Sequence, residues 1–213
     1  MKILASKEMT NAQSEIISEI ISTSVKHIST FIPLEEVSFN VLLDEKRTVP
    51  AYGVGGYGKN AQEIELYLAP NREKDWQTYL PRTIAHELHH VARWRGPGYG
   101  TTLAETIISE GLAQHFEATC FPGPPNFFSV CLKDDERKEI LNAFISEFHT
   151  QKYDWNDHSI WFFGSGKFPF LAGYDLSYYV MGEYLKLNLS SPEKEVNLKP
   201  EQLFTLLQKL KSL

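Results

Sequence analysis

A chain of 213 residues makes one ordinary domain or two small lobes sharing a site, which excludes a long multidomain machine. With 42% hydrophobic, 13% aromatic and 23% charged residues it is too apolar to be disordered and too interrupted to span a membrane, so a soluble globular protein is expected. A formal charge of −6 removes any global electrostatic reason to bind nucleic acid. A chain of this size also buries enough surface to fold unaided, so any metal is expected to serve function rather than folding.

The opening ten residues lack the basic stretch and unbroken apolar run of a secretory signal, and the cytoplasm is the expected compartment. Cys120 and Cys131 are too few for a disulfide framework and form no Cys-x-x-Cys pair, so both are expected as buried reduced thiols. From Thr10 to about Thr30, Ala12, Ile16, Ile17, Ile20, Ile21 and Val25 recur at three- and four-residue steps, which predicts an amphipathic helix. Val37 to Leu43, between Pro33 and Pro50, reads as a strand. Gly53 to Gly58 matches Gly-x-Gly-x-x-Gly but leads toward a strand instead of a helix N-terminus, so it is expected to be a flexible hairpin-like loop and not a nucleotide site. Glu63 to Leu68 alternates strictly, with Ile64, Leu66 and Leu68 on one face, and predicts a half-exposed strand. At a sheet edge that strand could pair with an extended peptide.

A helix is predicted from Pro81, at a tolerated first-turn position, to Trp94, stopped by Gly96-Pro97-Gly98. A second should run from about Thr102 to Thr119. The Phe121-Pro-Gly-Pro-Pro125 break follows and is the expected lobe boundary. Further helices are expected near 134–149, 173–187 and 200–212, with an aromatic, glycine-bearing stretch from Trp155 to Phe170 between them.

The chemistry concentrates in His86-Glu87-Leu88-His89-His90. At about 100° per residue His86 and His90 stand one helical turn apart, so both imidazoles can reach one tetrahedral Zn²⁺. Glu87 points beside the metal, where it can take a proton from an activated water. This composition would produce about 0.02 such matches by chance, which favours a real motif. Glu110, twenty residues after His90, completes a His₂Glu set that leaves a fourth position open, as hydrolytic zinc sites do. Glu105 is the alternative third ligand, but it lies about 140° round the helix from Glu110.

The stretch from Thr83 to Ala118 resembles the gluzincin peptidases, and within them the YjaZ-type predicted zinc-dependent proteases, through Ile-Ala-His-Glu-Leu-His-His followed by Glu105-x-x-x-Ser109-Glu110-Gly-Leu-Ala. Ala172 to Val180 is similar to that family's Gly-Tyr-x-x-Gly-Tyr-x-x-Val segment, with Ser177 in place of the second glycine. The resemblance implies an α+β, zincin-like metallopeptidase fold: a small mixed or antiparallel sheet ahead of an active-site helix, then a mainly helical remainder. The expected organisation is a single domain over 1–213, with an N-terminal lobe at 1–121 and a C-terminal lobe at 122–213.

Around that set, Ala104, Ile108, Leu112 and His115 form one helical stripe, with Glu110, Gln114 and Glu117 on the other side. Gln114 is expected to hydrogen-bond a ligand histidine. His89 and His115 are expected to be packed or hydrogen-bonded neighbours, while His149 and His158 could supply a transition-state donor. Tyr174 and Tyr178, one turn apart, are candidates to donate to an oxyanion, with aromatic packing the alternative. The leading expectation is a zinc metallopeptidase: His86, His90 and Glu110 bind Zn²⁺, Glu87 is general base, and the partner is a peptide or protein, with neither nucleic acid nor membrane. The rivals are a zinc-binding protein with a structural or regulatory site, and a metallohydrolase of non-peptide substrates.

Overall fold

A computed structural model describes residues 1–150 and 152–211. The chain is α+β, with a four-stranded mixed sheet and, among the described residues, seven α-helices. Its contacts divide it into two compact units, one of Met1–Arg95 with Phe116–Pro122, the other of Gly96–His115 with the chain from Gly123 onward. No helix among the described residues is long and apolar enough to cross a membrane.

The first unit holds the sheet. Strand β1 (Lys2–Ala5) leads into helix α1 (Asn11–Ile28), which returns the chain to β2 (Ser38–Leu43), parallel to β1. A capping box starts α1: Thr10 Oγ1 accepts from the Gln13 amide at 3.2 Å and Gln13 Oε1 from the Thr10 amide at 3.0 Å, which satisfies two N–H groups the helix cannot. Of the predicted stripe Ile17 and Ile21 are buried, Ile16, Ile20 and Val25 are half-buried and Ala12 is exposed, while Ile28 beyond it is buried.

The hairpin of β3 (Val54–Asn60) and β4 (Glu63–Leu68) completes the sheet in the order β1-β2-β4-β3, with β4 parallel to β2 and antiparallel to β3. Two expectations fail here. The glycine run is strand β3, not a flexible loop, and it occupies the sheet edge, whereas the predicted edge strand β4 is interior. Ile64, Leu66 and Leu68 are fully buried and Tyr67 is buried on the other face, so β4 is not half-exposed and has no edge to offer a peptide. Alternation reports one buried face and says nothing about who pairs on either side.

Helix α2 (Glu73–Trp94) begins eight residues before Pro81, which therefore sits inside the helix. An internal proline costs about 3 kcal/mol. Full burial of Trp76 and Leu80, each contributing about 1.5–3 kcal/mol, offsets it, and Trp76 Nε1 donates to the Ala69 carbonyl at 3.0 Å. At its far end Trp94 Nε1 donates to Gly58 O at 2.9 Å and Arg95 Nη2 to Ala61 O at 2.9 Å, stitching α2 to the β3–β4 hairpin.

Helix α3 (Leu103–Cys120) runs through both units, with residues 103–115 in the second and 116–120 in the first. It is not buried on one stripe as expected: Thr106, Ser109, Glu110, Gln114 and Glu117 are as buried as Ile107, Ile108 and Leu112.

In the second unit, α4 (Asp134–Glu147), α5 (Trp155–Phe162), α6 (Ala172–Leu187) and α7 (Phe204–Lys211) surround a core that includes Leu112, Phe144, Phe162, Leu176 and Leu207. Position 212 of the last predicted helix lies outside the described residues. Helix α5 falls where the sequence predicts only an aromatic stretch; Asp154 caps it, accepting from the Asn156 and Asp157 amides at 2.8 and 3.1 Å. Ser177, where the resembling family has glycine, is buried and donates to Gly173 O at 2.6 Å. Buried Asp175 joins α6 to α4, accepting from Leu132 N at 2.8 Å and Arg137 Nε at 2.6 Å. Cys120 is buried as expected but Cys131 is exposed; partial burial and then the charge of Asp175 push its thiol up to about 11.

Candidate metal centre

Helical periodicity puts His86 and His90 one turn apart on α2, and their rings meet edge to face with centroids 4.7 Å apart. Between them in sequence, Glu87 is buried against β3. The Gly58 amide donates to Glu87 Oε2 at 2.6 Å, a charge-assisted hydrogen bond from the sheet edge. The approach requires glycine: a Cβ on Gly56 would stand 2.5 Å from Glu87 Cγ, and one on Gly58 3.1 Å from His90 Cβ. The glycine run thus seats the histidine-bearing turn of α2 on the strand beside it. Closely spaced glycines are its sequence signal, and a flexible loop gives the same one.

The C-terminal turns of α3 supply the neighbours of His86 within the first unit. Glu117 Oε2 faces His86 Nδ1 at 3.6 Å, long for a hydrogen bond but close for a charge, and Arg82 Nη2 donates to Glu117 Oε1 at 3.2 Å. His89 is fully buried, its ring 5.2 Å from Phe116. The expectation for Gln114 is corrected. Its Nε2 donates to Tyr174 O at 3.1 Å and its Oε1 accepts from Ser129 Oγ at 2.5 Å, so both ends of the amide serve the helical unit. An amide with two nearby partners of its own has no need of an imidazole.

Glu110 is buried on α3, and Tyr99 Oη donates to its Oε1. Nothing in the sequence singles out Tyr99, because Gly98-Tyr99-Gly100 registers only as the end of a helix stop. Glu105 does something different: its Oε2 accepts from the Thr101 and Thr102 amides at 2.7 and 3.0 Å while Thr102 Oγ1 accepts from the Glu105 amide at 3.2 Å. That is a capping box, and it commits the carboxylate to the start of α3. Burial pushes the Glu105 carboxyl up, but the hydrogen bonds from Thr101 and Thr102 outweigh it and hold the group below its ordinary value.

His86 and His90 of the first unit and Glu110 of the second are the donor residues in question. Two imidazoles and a carboxylate are the donors of hydrolytic zinc sites, so the residues fit that metal in chemistry and in number, with one coordination position unspent.

The remaining candidates lie in the helical unit. His115 stacks on Tyr178 with centroids 4.2 Å apart, and its Nε2 lies 2.9 Å from Tyr178 O, a packed and hydrogen-bonded histidine. The half-buried Tyr174 packs edge-on against Phe162 at 4.9 Å. His149 is exposed beside Phe148. His158 stacks on Phe162 at 4.5 Å, with its Nδ1 3.0 Å from Tyr153 Oη; burial lowers its pKa while the charge of Glu110 pulls the other way.

An α+β chain whose helix α2 carries two histidines one turn apart, with a buried glutamate between them in sequence, offers the ligands of a candidate zinc hydrolase centre. The chain belongs to the family of predicted Zn-dependent proteases (DUF2268), whose model matches residues 17–205 and so includes α2, α3 and α6. No curated protein and no solved structure matches it.

Proposed function

We propose that this chain is a zinc peptidase of the gluzincin type, related to the YjaZ-like proteases and built on a zincin-like fold. His86, His90 and Glu110 would hold the metal. The observation that carries the reading is the pair of histidine rings 4.7 Å apart on one turn of α2, with a buried glutamate between them in sequence. Zinc, when bound, polarises a carbonyl and acidifies a water.

The chain's own groups do the rest. Glu87 takes the proton of the attacking water and passes it to the leaving amine, and Gly58 N–H keeps its carboxylate from swinging away from that task. Glu117, facing Nδ1 of His86, favours the tautomer with its proton on that nitrogen and frees Nε2 as the donor. Tyr174 and Tyr178 are the proposed donors to the oxyanion, the role that transition-state charge requires. The substrate is a peptide or protein segment and the compartment the cytoplasm, in keeping with two free cysteines.

The test is metal content and proteolysis together. Purified protein should carry one zinc and cleave an unstructured protein such as casein, with loss on chelation and recovery on adding zinc. Glu87→Gln should keep the zinc and lose at least about 10²-fold in rate. A variant that turns over like wild type would remove Glu87 from the mechanism. His86→Ala should release the metal.

A further inference from the structure

The loop from Gly96 to Thr102 is short and pinned at both ends, by the end of α2 and by the capping box of α3. Within it Gly98 and Gly100 take φ of +91° and +151°, a left-handed range that side chains rarely enter. At Gly100 a Cβ would also stand 2.8 Å from the Thr106 amide, so the loop closes onto the first turn of α3 only with glycine there. The residue between them is Tyr99, half-buried, whose hydroxyl reaches the Glu110 carboxylate. Two glycines therefore set the direction of one phenol toward one buried acid.

Building on the zinc reading above, we propose that Tyr99 is the positioning residue for the metal ligand Glu110, its hydroxyl fixing the carboxylate so that a single oxygen is presented to zinc. A carboxylate on a flexible side chain can rotate and can offer either oxygen or both. A donor on Oε1 sets the plane and makes Oε2 the donor to the ion, and such outer partners typically account for 10- to 100-fold in metal affinity. Glu117 has the corresponding place beside His86, so each of the two ligands carries its own acid or phenol partner. A purely structural role makes a different forecast: removing the hydroxyl would lower the stability of the metal-free protein and leave zinc affinity alone.

Zinc affinity is measured by competition with a chromogenic chelator on the full chain for wild type, Tyr99→Phe, Glu110→Ala and the double variant, with the metal-free thermal midpoint of each. Tyr99→Phe should weaken zinc binding about 10- to 100-fold. In the Glu110→Ala background the same change should have no further effect, and cobalt-substituted Tyr99→Phe should show an altered visible spectrum. Wild-type affinity in Tyr99→Phe, an equal loss with and without Glu110, or a Tyr99→Phe chain that does not fold each overturns the positioning role while leaving the zinc reading in place. A wild type that takes up no zinc, or a Glu110→Ala variant with wild-type affinity, overturns the zinc reading and this inference with it.

Discussion

The backbone amide of Gly58 donates to the carboxylate of Glu87 at 2.6 Å, joining the edge strand of the sheet to the acid of the His-Glu-x-x-His helix. A main-chain donor cannot be removed by a side-chain change, but the fit around it can. Gly56→Ala places a methyl 2.5 Å from Glu87 Cγ and must push the carboxylate aside. Misplacement on the order of 1 Å costs about 10²-fold in rate. The expected result is therefore near-wild-type zinc content with kcat reduced about 100-fold, measured by elemental analysis alongside proteolysis.

Glu117 lies between Arg82 and His86, 3.2 Å from one and 3.6 Å from the other. Glu117→Gln keeps the shape and removes the charge that orients the imidazole. Zinc affinity should fall about 10-fold, with Glu110 still in place. Chelator competition gives the number, and an unchanged affinity would make the Glu117–Arg82 pair a structural feature of the first unit only.

Glu105 and Glu110 are on the same helix, yet their variants should behave oppositely. Glu105→Ala loses the capping box and should destabilise the protein by about 1 kcal/mol while zinc stays bound. Because the folded Glu105 carboxyl lies below its ordinary value of 4.5, its contribution is complete above that value and disappears as pH falls through the lower folded pKa. The stability difference between wild type and Glu105→Ala should thus be constant at neutral pH and shrink in acid, as denaturant titrations at several pH values would show. Zinc loss in Glu105→Ala would return Glu105 to the ligand set.

Asp175 has no exposed surface and accepts from Leu132 N and from two nitrogens of Arg137, at 2.6 and 3.2 Å. Asp175→Ala strands the buried Leu132 amide and takes the buried carboxylate from Arg137, which keeps only Asp134 and the Leu132 carbonyl. Removing one member of such a pair costs about 3–5 kcal/mol. The thermal midpoint should drop on the order of 10 °C for a chain of this size. Calorimetry would read it, and a drop of only a degree or two would mean that Asp134 and the Leu132 carbonyl suffice to hold Arg137.

Much of the centre is legible in the order of the residues alone, because its parts are local. The register of His86, Glu87 and His90 follows from 3.6 residues per turn, and the alternation of Ile64, Leu66 and Leu68 from the pleat of a strand. Thr10, Thr102 and Asp154 are recognised as helix caps only from the hydrogen bonds they make, as is the place of Glu105 in one of them. Pro81 is the reverse case: the rule against internal proline is local, while the burial of Trp76 and Leu80 that overrides it is not.

By itself the sequence determined the spacing of the two histidines and the acid between them, the family, and the kinds of donor available to a metal, since these depend on residue type and on separations of a few positions. Only the tertiary structure decided that the glycine strand and not Glu63–Leu68 forms the sheet edge, and that Gly58 holds Glu87. It also decided that Glu117 rather than Gln114 faces His86, and that Tyr99 holds Glu110. All but the last depend on which surfaces meet across long stretches of chain, and the last on how the loop from Gly96 to Thr102 folds back on α3. Periodicity marks a face for burial, but the partner it meets is chosen by the packing of the whole.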